Sequence, residues 1–243
     1  MRKLPFSNDA IYHVFNRGVD KRTIFLEDAD YFRFIHDLYE FNDQAPAENI
    51  YYKMPSLQSY DVGNRKIQRK GSRTLLVDIV AFCLMPNHFH LLVRQRVDNG
   101  ITLFMKKLGS GYANYFNIKN KRSGTLFQGR FKAVPIDTDR YATYIPFYIH
   151  ANPIELYDPK WKELGLSKNK KDVLHFLEKY RWSNFPDCVG RKNFPSVTQR
   201  KFITDYFGEG AQYKKYMSQW IDQFNSPNVS AITKTETEEI TLD

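Results

Sequence analysis

The stretch from Ile79 to Arg94 limits the fold more than any other part of the chain. It is an apolar run, then Pro86-Asn87, then a second apolar run that opens His88-Phe89-His90. Two apolar runs split by a Pro-Asn break read as a strand, a tight turn and a returning strand. Side chains alternate along a strand, so Phe89, Leu91 and Val93 share one face and suit a core. His88 and His90 share the other face, with ring nitrogens close enough to hold one divalent ion. A histidine on an apolar strand is also an ordinary structural residue, so the pair suggests a metal site without establishing it.

Around this hairpin the pattern predicts a simple alternation. Ile11 to Arg17 reads as a first strand. Asp28 or Asp30 can cap a helix reaching about Phe41, with Tyr31, Phe34, Ile35 and Leu38 on its buried face. A polar, Pro- and Gly-punctuated insertion over 43–74 carries Arg65, Lys66, Arg69, Lys70 and Arg73, either as a nucleic-acid arm or as a solvated loop. After the hairpin a helix is expected from about Ile101, with Asn99 or Thr102 as cap and Gly109 and Gly111 inside it. A turn and strand follow over Ser123 to Pro135. Asp137 or Thr138 then opens a helix from Asp139 to about Ala151, with a kink or restart expected at Pro146. Tyr148 and Asn152 lie four apart on one face of that helix, although Pro153 biases Asn152 toward its boundary. With 16 tyrosines in the chain, spacing alone does not select Tyr148.

Charge distribution points to a polyanionic partner. The formal net charge is +9 in 243 residues. Between Phe104 and Ile136 there are seven basic residues and no acidic one, interleaved with Tyr112, Tyr115, Phe116, Phe127 and Phe131. Basic side chains follow phosphates and exposed aromatic faces stack bases, the combination of a single-strand binder. The plainer alternative is an aromatic core beneath a solvated lysine face. Two cysteines are too few for a disulfide framework. Neither an N-terminal apolar leader nor a run of about 18 apolar residues is present. The expectation is therefore a cytoplasmic protein with no membrane association; the family resemblance given below implies a bacterial one that works at the nucleoid.

Past Pro153 short helices are expected over Lys171–Tyr180 and Val197–Phe207, the second capped by Ser196. An amphipathic helix over Gln212–Phe224 places Tyr213, Tyr216, Met217, Trp220, Ile221 and Phe224 on one stripe. The expected division is a domain over 1–157 containing the insertion, a helical extension over 158–225, and a flexible tail over 226–243.

Four motifs in order resemble a known family. They are Tyr12-His13-Val14-Phe15-Asn16-Arg17-Gly18, Leu84-Met85-Pro86-Asn87-His88-Phe89-His90-Leu91-Leu92, Ser123 to Lys132 (SGTLFQGRFK), and Tyr148-Ile149-His150-Ala151-Asn152-Pro153. Over roughly residues 8–157 this order resembles the HUH single-strand nucleases, and among them the IS200-like transposases of the REP-associated tyrosine type. Tyr180-Arg181-Trp182-Ser183 is similar to a segment that follows the core in that family.

The resemblance implies an α+β fold, a ferredoxin-like antiparallel sheet with helices on one face. It also implies a divalent ion, Mg2+ or Mn2+, on His88, His90 and Asn152, and Tyr148 as a nucleophile that forms a covalent 5′-phosphotyrosine intermediate. Arg17, Lys106, Lys107, Lys119, Arg122, Arg130 and Lys132 are the expected phosphate contacts. The implied partner is single-stranded DNA carrying a REP-like hairpin, and monomer and homodimer both remain open. The rival classes are a non-catalytic nucleic-acid-binding module on a ferredoxin-like sheet and a metal-dependent enzyme for small molecules.

Overall fold

The computed structural model describes residues 5–46 and 73–224. Most of the expected insertion, including Arg65, Lys66, Arg69 and Lys70, and the expected tail lie outside the described residues. The first half contains β1 (Ile11–Arg17), α1 (Asp28–Glu40), β2 (Val77–Met85), β3 (His88–Gln95), α2 (Gly100–Lys119), β4 (Lys132–Pro135) and α3 (Asp139–Ala151). The strands form one sheet in the order β2-β3-β1-β4, and every neighbouring pair is antiparallel. A β-α-β-β-α-β chain with the first and third strands central is the ferredoxin-like arrangement.

Alternation on the central strands decides what each face packs against. Val14, Phe82, Leu84, Phe89, Leu91 and Val93 turn to the face covered by α1 and α2, where they meet Phe34, Ile35, Leu38, Phe104, Leu108 and Tyr112. The close approach of the two helices depends on Gly111, where a Cβ would lie 2.5 Å from the Phe41 ring. On strand β2 a bulge between Ile79 and Ala81 shifts the register. Val80 and Ala81 consequently both turn to the second face, with Cys83, Met85 and Leu92.

That second face is covered by α3 and by the chain beyond it: α4 (Ile154–Tyr157), α5 (Trp161–Leu164), α6 (Lys170–Lys179), α7 (Phe185–Cys188), α8 (Lys201–Phe207) and α9 (Ala211–Gln223). The amphipathic stripe of α9 explains its place, with Tyr213, Met217, Trp220 and Ile221 buried; Tyr216 is left exposed. Helix α8 begins at Lys201 rather than Val197. Residues before it run along the edge of β2 instead, where Gln199 and Ile79 exchange two 2.8 Å hydrogen bonds.

The Arg181–Asn184 segment closes the rest of that edge. Leu84 N donates to Trp182 O at 2.8 Å, and Cys83 pairs with Ser183 as an isolated bridge. Asn184 then acts as a connector. Its Oδ1 accepts from Phe82 N at 2.7 Å and from His150 Nε2 at 2.9 Å, and its Nδ2 donates to Val80 O at 3.2 Å. An unpaired β-edge is thus covered, and α3 is tied to the sheet through one buried amide. Among the described residues no helix is long and apolar enough to cross a membrane.

Replacing Asn184 with Ala strands the Phe82 N–H and the His150 ring in the interior. We expect a loss of about 2–4 kcal/mol in urea unfolding, the range for breaking a buried hydrogen-bond network. A loss under about 0.5 kcal/mol, the level of an ordinary surface substitution, would show that the connector is dispensable.

Candidate active site

On the second face of the sheet the pairing register gathers histidines from two strands. Arg17 lies opposite His88, Phe15 opposite His90 and His13 opposite Leu92. His13, Phe15 and Arg17 therefore project to the same side as the two histidines of β3. His13 Nε2 and His90 Nδ1 are 2.9 Å apart, and the two rings stack with centroids 5.0 Å apart. His88 stands at right angles to His90 at 5.0 Å, and its Nδ1 lies 2.6 Å from Asn87 Oδ1. Both β3 histidines thus have Nδ1 engaged by a neighbour. His90 Nε2 is buried with no partner among the described residues, as is His13 Nδ1.

Helix α3 closes over this layer and delivers the phenol. Tyr148 meets His90 edge-on at 5.9 Å and His13 at 6.2 Å between ring centroids. It keeps 7% of its surface exposed. The helix is begun by Thr138, whose Oγ1 accepts from Tyr141 N at 3.2 Å. No break occurs at Pro146, which lies inside a helix running unbroken from Asp139 to Ala151. Asn152 also keeps αR backbone angles in spite of Pro153. A local exchange accounts for this. Pro153 has no N–H to offer Ile149 O, and Asn152 Nδ2 approaches that carbonyl at 3.5 Å while donating to Tyr148 O at 2.9 Å. Its Oδ1 is left facing Lys162 of α5, whose Nζ is 3.4 Å away. Lys162 also pairs with Glu155 Oε2 at 3.1 Å and lies 5.7 Å from the Tyr148 ring centroid.

Electrostatics follow from this burial. Burial lowers His13 and His88 to about 3, the latter with help from the charges of Lys162 and Arg17. His90 falls well below its ordinary value, through burial first and then through His88, His13 and Lys162. All three imidazoles are neutral at pH 7, the state in which a ring nitrogen can bind a cation. Burial raises the Tyr148 phenol, while Lys162 opposes that shift and Glu155 adds to it.

The sequence reading joined His88, His90, Tyr148 and Asn152. Histidines and phenol share one cluster here, and Asn152 reaches it one helical turn on, through Lys162. Among the described residues no group of three or more His, Cys, Asp or Glu side chains is placed to hold a metal ion. The imidazoles of His88 and His90 and the amide oxygen of Asn152 are donor types that a hard divalent cation keeping several waters accepts. The open His90 Nε2, with Nδ1 held from behind, has the form of a prepared ligand. Two residues escaped the sequence reading. His13 carries a signal in retrospect, since pairing β1 with β3 puts it in step with His90. Lys162 carries none, because only the extension's packing brings it here.

The expected phosphate contacts separate into groups. Lys106, Arg130 and Lys132 line a 1490 Å³ groove between α2 and β4, together with Phe6, Phe127 and Phe131. This groove is not the histidine cluster, though Lys132 links them: its Nζ is 5.9 Å from the Phe15 ring, which lies 5.8 Å from His90. Arg17 stands beside His88. Lys107, Lys119 and Arg122 serve the fold. Lys107 donates to Asp43 O and Ala45 O, Lys119 pairs with Asp30 and Glu27, and Arg122 binds Asn117 and Thr125. Tyr112 and Phe116 are core residues rather than exposed stacking faces.

Residues 59–152 match the family model described as Transposase IS200 like. This segment is similar to the IS200-like transposases. It spans from before β2 through Asn152, and so includes His88, His90 and Tyr148 but neither His13 nor Lys162. No curated protein matches the chain. A solved structure of a REP-associated tyrosine transposase bound to a REP hairpin overlays 81% of this chain and 88% of its own, with a TM-score of 0.43 and 13% identity. At that distance the overlay carries no weight for what this chain binds.

The buried imidazoles make acid sensitivity testable. His13 and His88 have folded values near 3 against an ordinary value of 6.5. The stability they contribute is present above pH 6.5 and is lost as the pH falls toward 3, because the unfolded chain binds the protons first. Each adds a slope of up to about 1.4 kcal/mol per pH unit in that window. Urea unfolding in EDTA at pH 7, 6, 5 and 4 should show that slope reduced in His13→Gln; an unaltered slope would mean that the imidazole is not held neutral.

Proposed function

We propose that this IS200-like transposase is an HUH-type, metal-dependent single-stranded DNA endonuclease and strand transferase of the REP-associated kind, acting on hairpin-bearing DNA through Tyr148. One observation carries the reading: the Tyr148 ring packs edge-on against His90 and His13, beside a His90 Nε2 left open in an otherwise buried site.

The chain's own groups define the chemistry. An open lone pair on His90 Nε2 requires the proton on Nδ1, which then donates to His13 Nε2. His13 is in this way the residue that sets the tautomer and ring angle of His90. Asn87 holds His88 in the same manner. With Asn152 Oδ1 these nitrogens would hold Mg2+ or Mn2+, which supplies charge neutralisation at a phosphate oxygen and alignment for in-line attack. Tyr148 Oη attacks phosphorus and gives its proton to solvent, a bond forms between Oη and phosphorus, and the bond from phosphorus to O3′ breaks as O3′ takes a proton from solvent. The products are a 5′-phosphotyrosine and a free 3′-OH. A 3′-OH from a second DNA end reverses the step, so strand transfer needs no nucleotide cofactor. Burial of the phenol excludes water that would hydrolyse the linkage.

The groove between α2 and β4 supports a polymeric substrate over a small molecule. Its volume of 1490 Å³ exceeds the ~300–1,000 Å³ of ordinary small-ligand pockets. Basic side chains on its rim and phenylalanines in its wall suit a phosphate backbone with unstacked bases.

Incubated with hairpin-bearing single strands and Mn2+, the protein should give a DNA-linked band on a denaturing gel. Tyr148→Phe should remove that band while hairpin affinity stays within about threefold. A band that persists in Tyr148→Phe would assign the nucleophile elsewhere, and no band in any variant would favour the non-catalytic module. His88→Ala and His90→Ala should each abolish the band even in excess Mn2+.

Neutralising Lys106, Arg130 or Lys132 should flatten the dependence of log K on log salt by about 0.7 per residue, the value for single strands. The same change at Lys107 or Lys119 should leave the slope alone and lower the melting temperature. Equal slopes for both groups would remove the groove from the binding path.

A further inference from the structure

Lys162 is a cation that meets the histidine and tyrosine cluster from outside the sheet. Its backbone position is fixed by its neighbour. Trp161 is 1% exposed and packs against Phe224 at 4.5 Å and Trp220 at 6.4 Å, all within the extension. From there the side chain reaches back across α4 to the α3 face. Its ammonium lies 3.4 Å from Asn152 Oδ1, 3.1 Å from Glu155 Oε2 and 5.7 Å from the centre of the Tyr148 ring. The side chain keeps 33% of its surface in solvent, so the ammonium stands at the mouth of the site.

We propose that Lys162 is a further catalytic residue of this enzyme, a phosphodiester-binding group supplied by the extension, that grips a non-bridging oxygen of the scissile phosphate beside Tyr148. The inference rests on the phosphoryl-transfer reading given above.

Two features support it. The first is what Lys162 touches. It contacts the amide oxygen of the expected cation set and stands over the expected nucleophile, whereas Lys107 and Lys119 in this same chain are spent on carbonyls and carboxylates of the fold. The second is the weakness of its present pairing. Its carboxylate partner, Glu155, is 47% exposed, and an ion pair that exposed is worth little and breaks readily. A phosphate dianion-like transition state is a better partner for a point charge on a flexible stem.

Charge is balanced without any proton transfer by Lys162. As the bond from Tyr148 Oη to phosphorus forms and the bond to O3′ breaks, negative charge accumulates on the non-bridging oxygens, and the ammonium offsets it.

The same placement has a consequence that a purely structural lysine would not have. Lys162 donates to the oxygen that a divalent cation would use, so ammonium and cation compete for Asn152 Oδ1. Removing the ammonium should therefore help the metal to bind while harming the reaction.

The test uses the full chain with Lys162→Met and Lys162→Gln beside wild type. Mn2+ titration followed by electron paramagnetic resonance, without DNA, should show tighter binding by about threefold or more in both variants. Single-turnover formation of the Tyr148-linked adduct at saturating Mn2+ should fall about 100-fold, the usual cost of removing one charge-stabilising donor. Hairpin affinity should stay within threefold. Weaker or unchanged Mn2+ affinity would overturn the proposal, as would adduct formation at the wild-type rate. If wild type itself forms no adduct, the phosphoryl-transfer reading fails and this proposal falls with it. If wild type reacts and the variants keep pace, only the role of Lys162 is lost. A melting temperature within 2 °C of wild type, in either variant, excludes misfolding as the cause.

Discussion

The hydrogen bond between His13 and His90 joins the two central strands beneath a layer of helices, and the site cannot be assembled without the burial that surrounds it. Three imidazoles on one sheet face would be solvated and partly charged in an open sheet. Covered by α3 and the extension, they lose the option of protonation, because a charge there would lack water. Neutral rings can stack, share one proton between His13 and His90, and keep a lone pair for a cation.

That burial is made by the extension as much as by the sheet. The ferredoxin-like half supplies a conventional core under α1 and α2. Its other face holds Leu92, Cys83 and Met85 but also His13 and His90, too mixed to pack against solvent or to close on itself. The segment around Trp182–Asn184 seals the β2 edge, and Asn184 fixes α3 through His150 at the same time. Position of Tyr148 thus depends on the amide of Asn184, well beyond α3 in the chain, and on Tyr213 of α9, whose hydroxyl lies 2.9 Å from His150 Nδ1. Fold and site share these contacts, so damage to the extension is expected to reach the phenol.

Charge is distributed with the same economy. The acid-free stretch, which the sequence allowed as a binding surface or as an aromatic core beneath a solvated lysine face, is divided by packing into two uses. Where a lysine or arginine finds a carbonyl or a buried carboxylate within reach, it staples loops, as Lys107 does for residues 43 and 45 and Lys119 for the start of α1. Where the helix and edge strand leave a groove, Lys106, Arg130 and Lys132 stay available to an anion. A positive side chain from another segment, Lys162, reaches the histidine and tyrosine cluster itself.

What the sequence determined was local. Alternation over Ile79–Arg94 sufficed to build the hairpin and to put Phe89 and His90 on opposite faces, because a strand has only two. The 3.6-residue spacing of Tyr31, Phe34, Ile35 and Leu38 determined α1, and the motifs carried the resemblance to a family. The tertiary structure decided everything that depends on strand pairing and on what covers the sheet. It brought His13 into step with His90, since register is invisible until β1 finds β3. It kept α3 helical through Pro146 and at Asn152, because packing and a side-chain donor offset what proline removes. It moved Tyr112 and Phe116 into the core and placed Lys162 at the phenol, for no periodicity within a segment encodes which distant segment will lie across it.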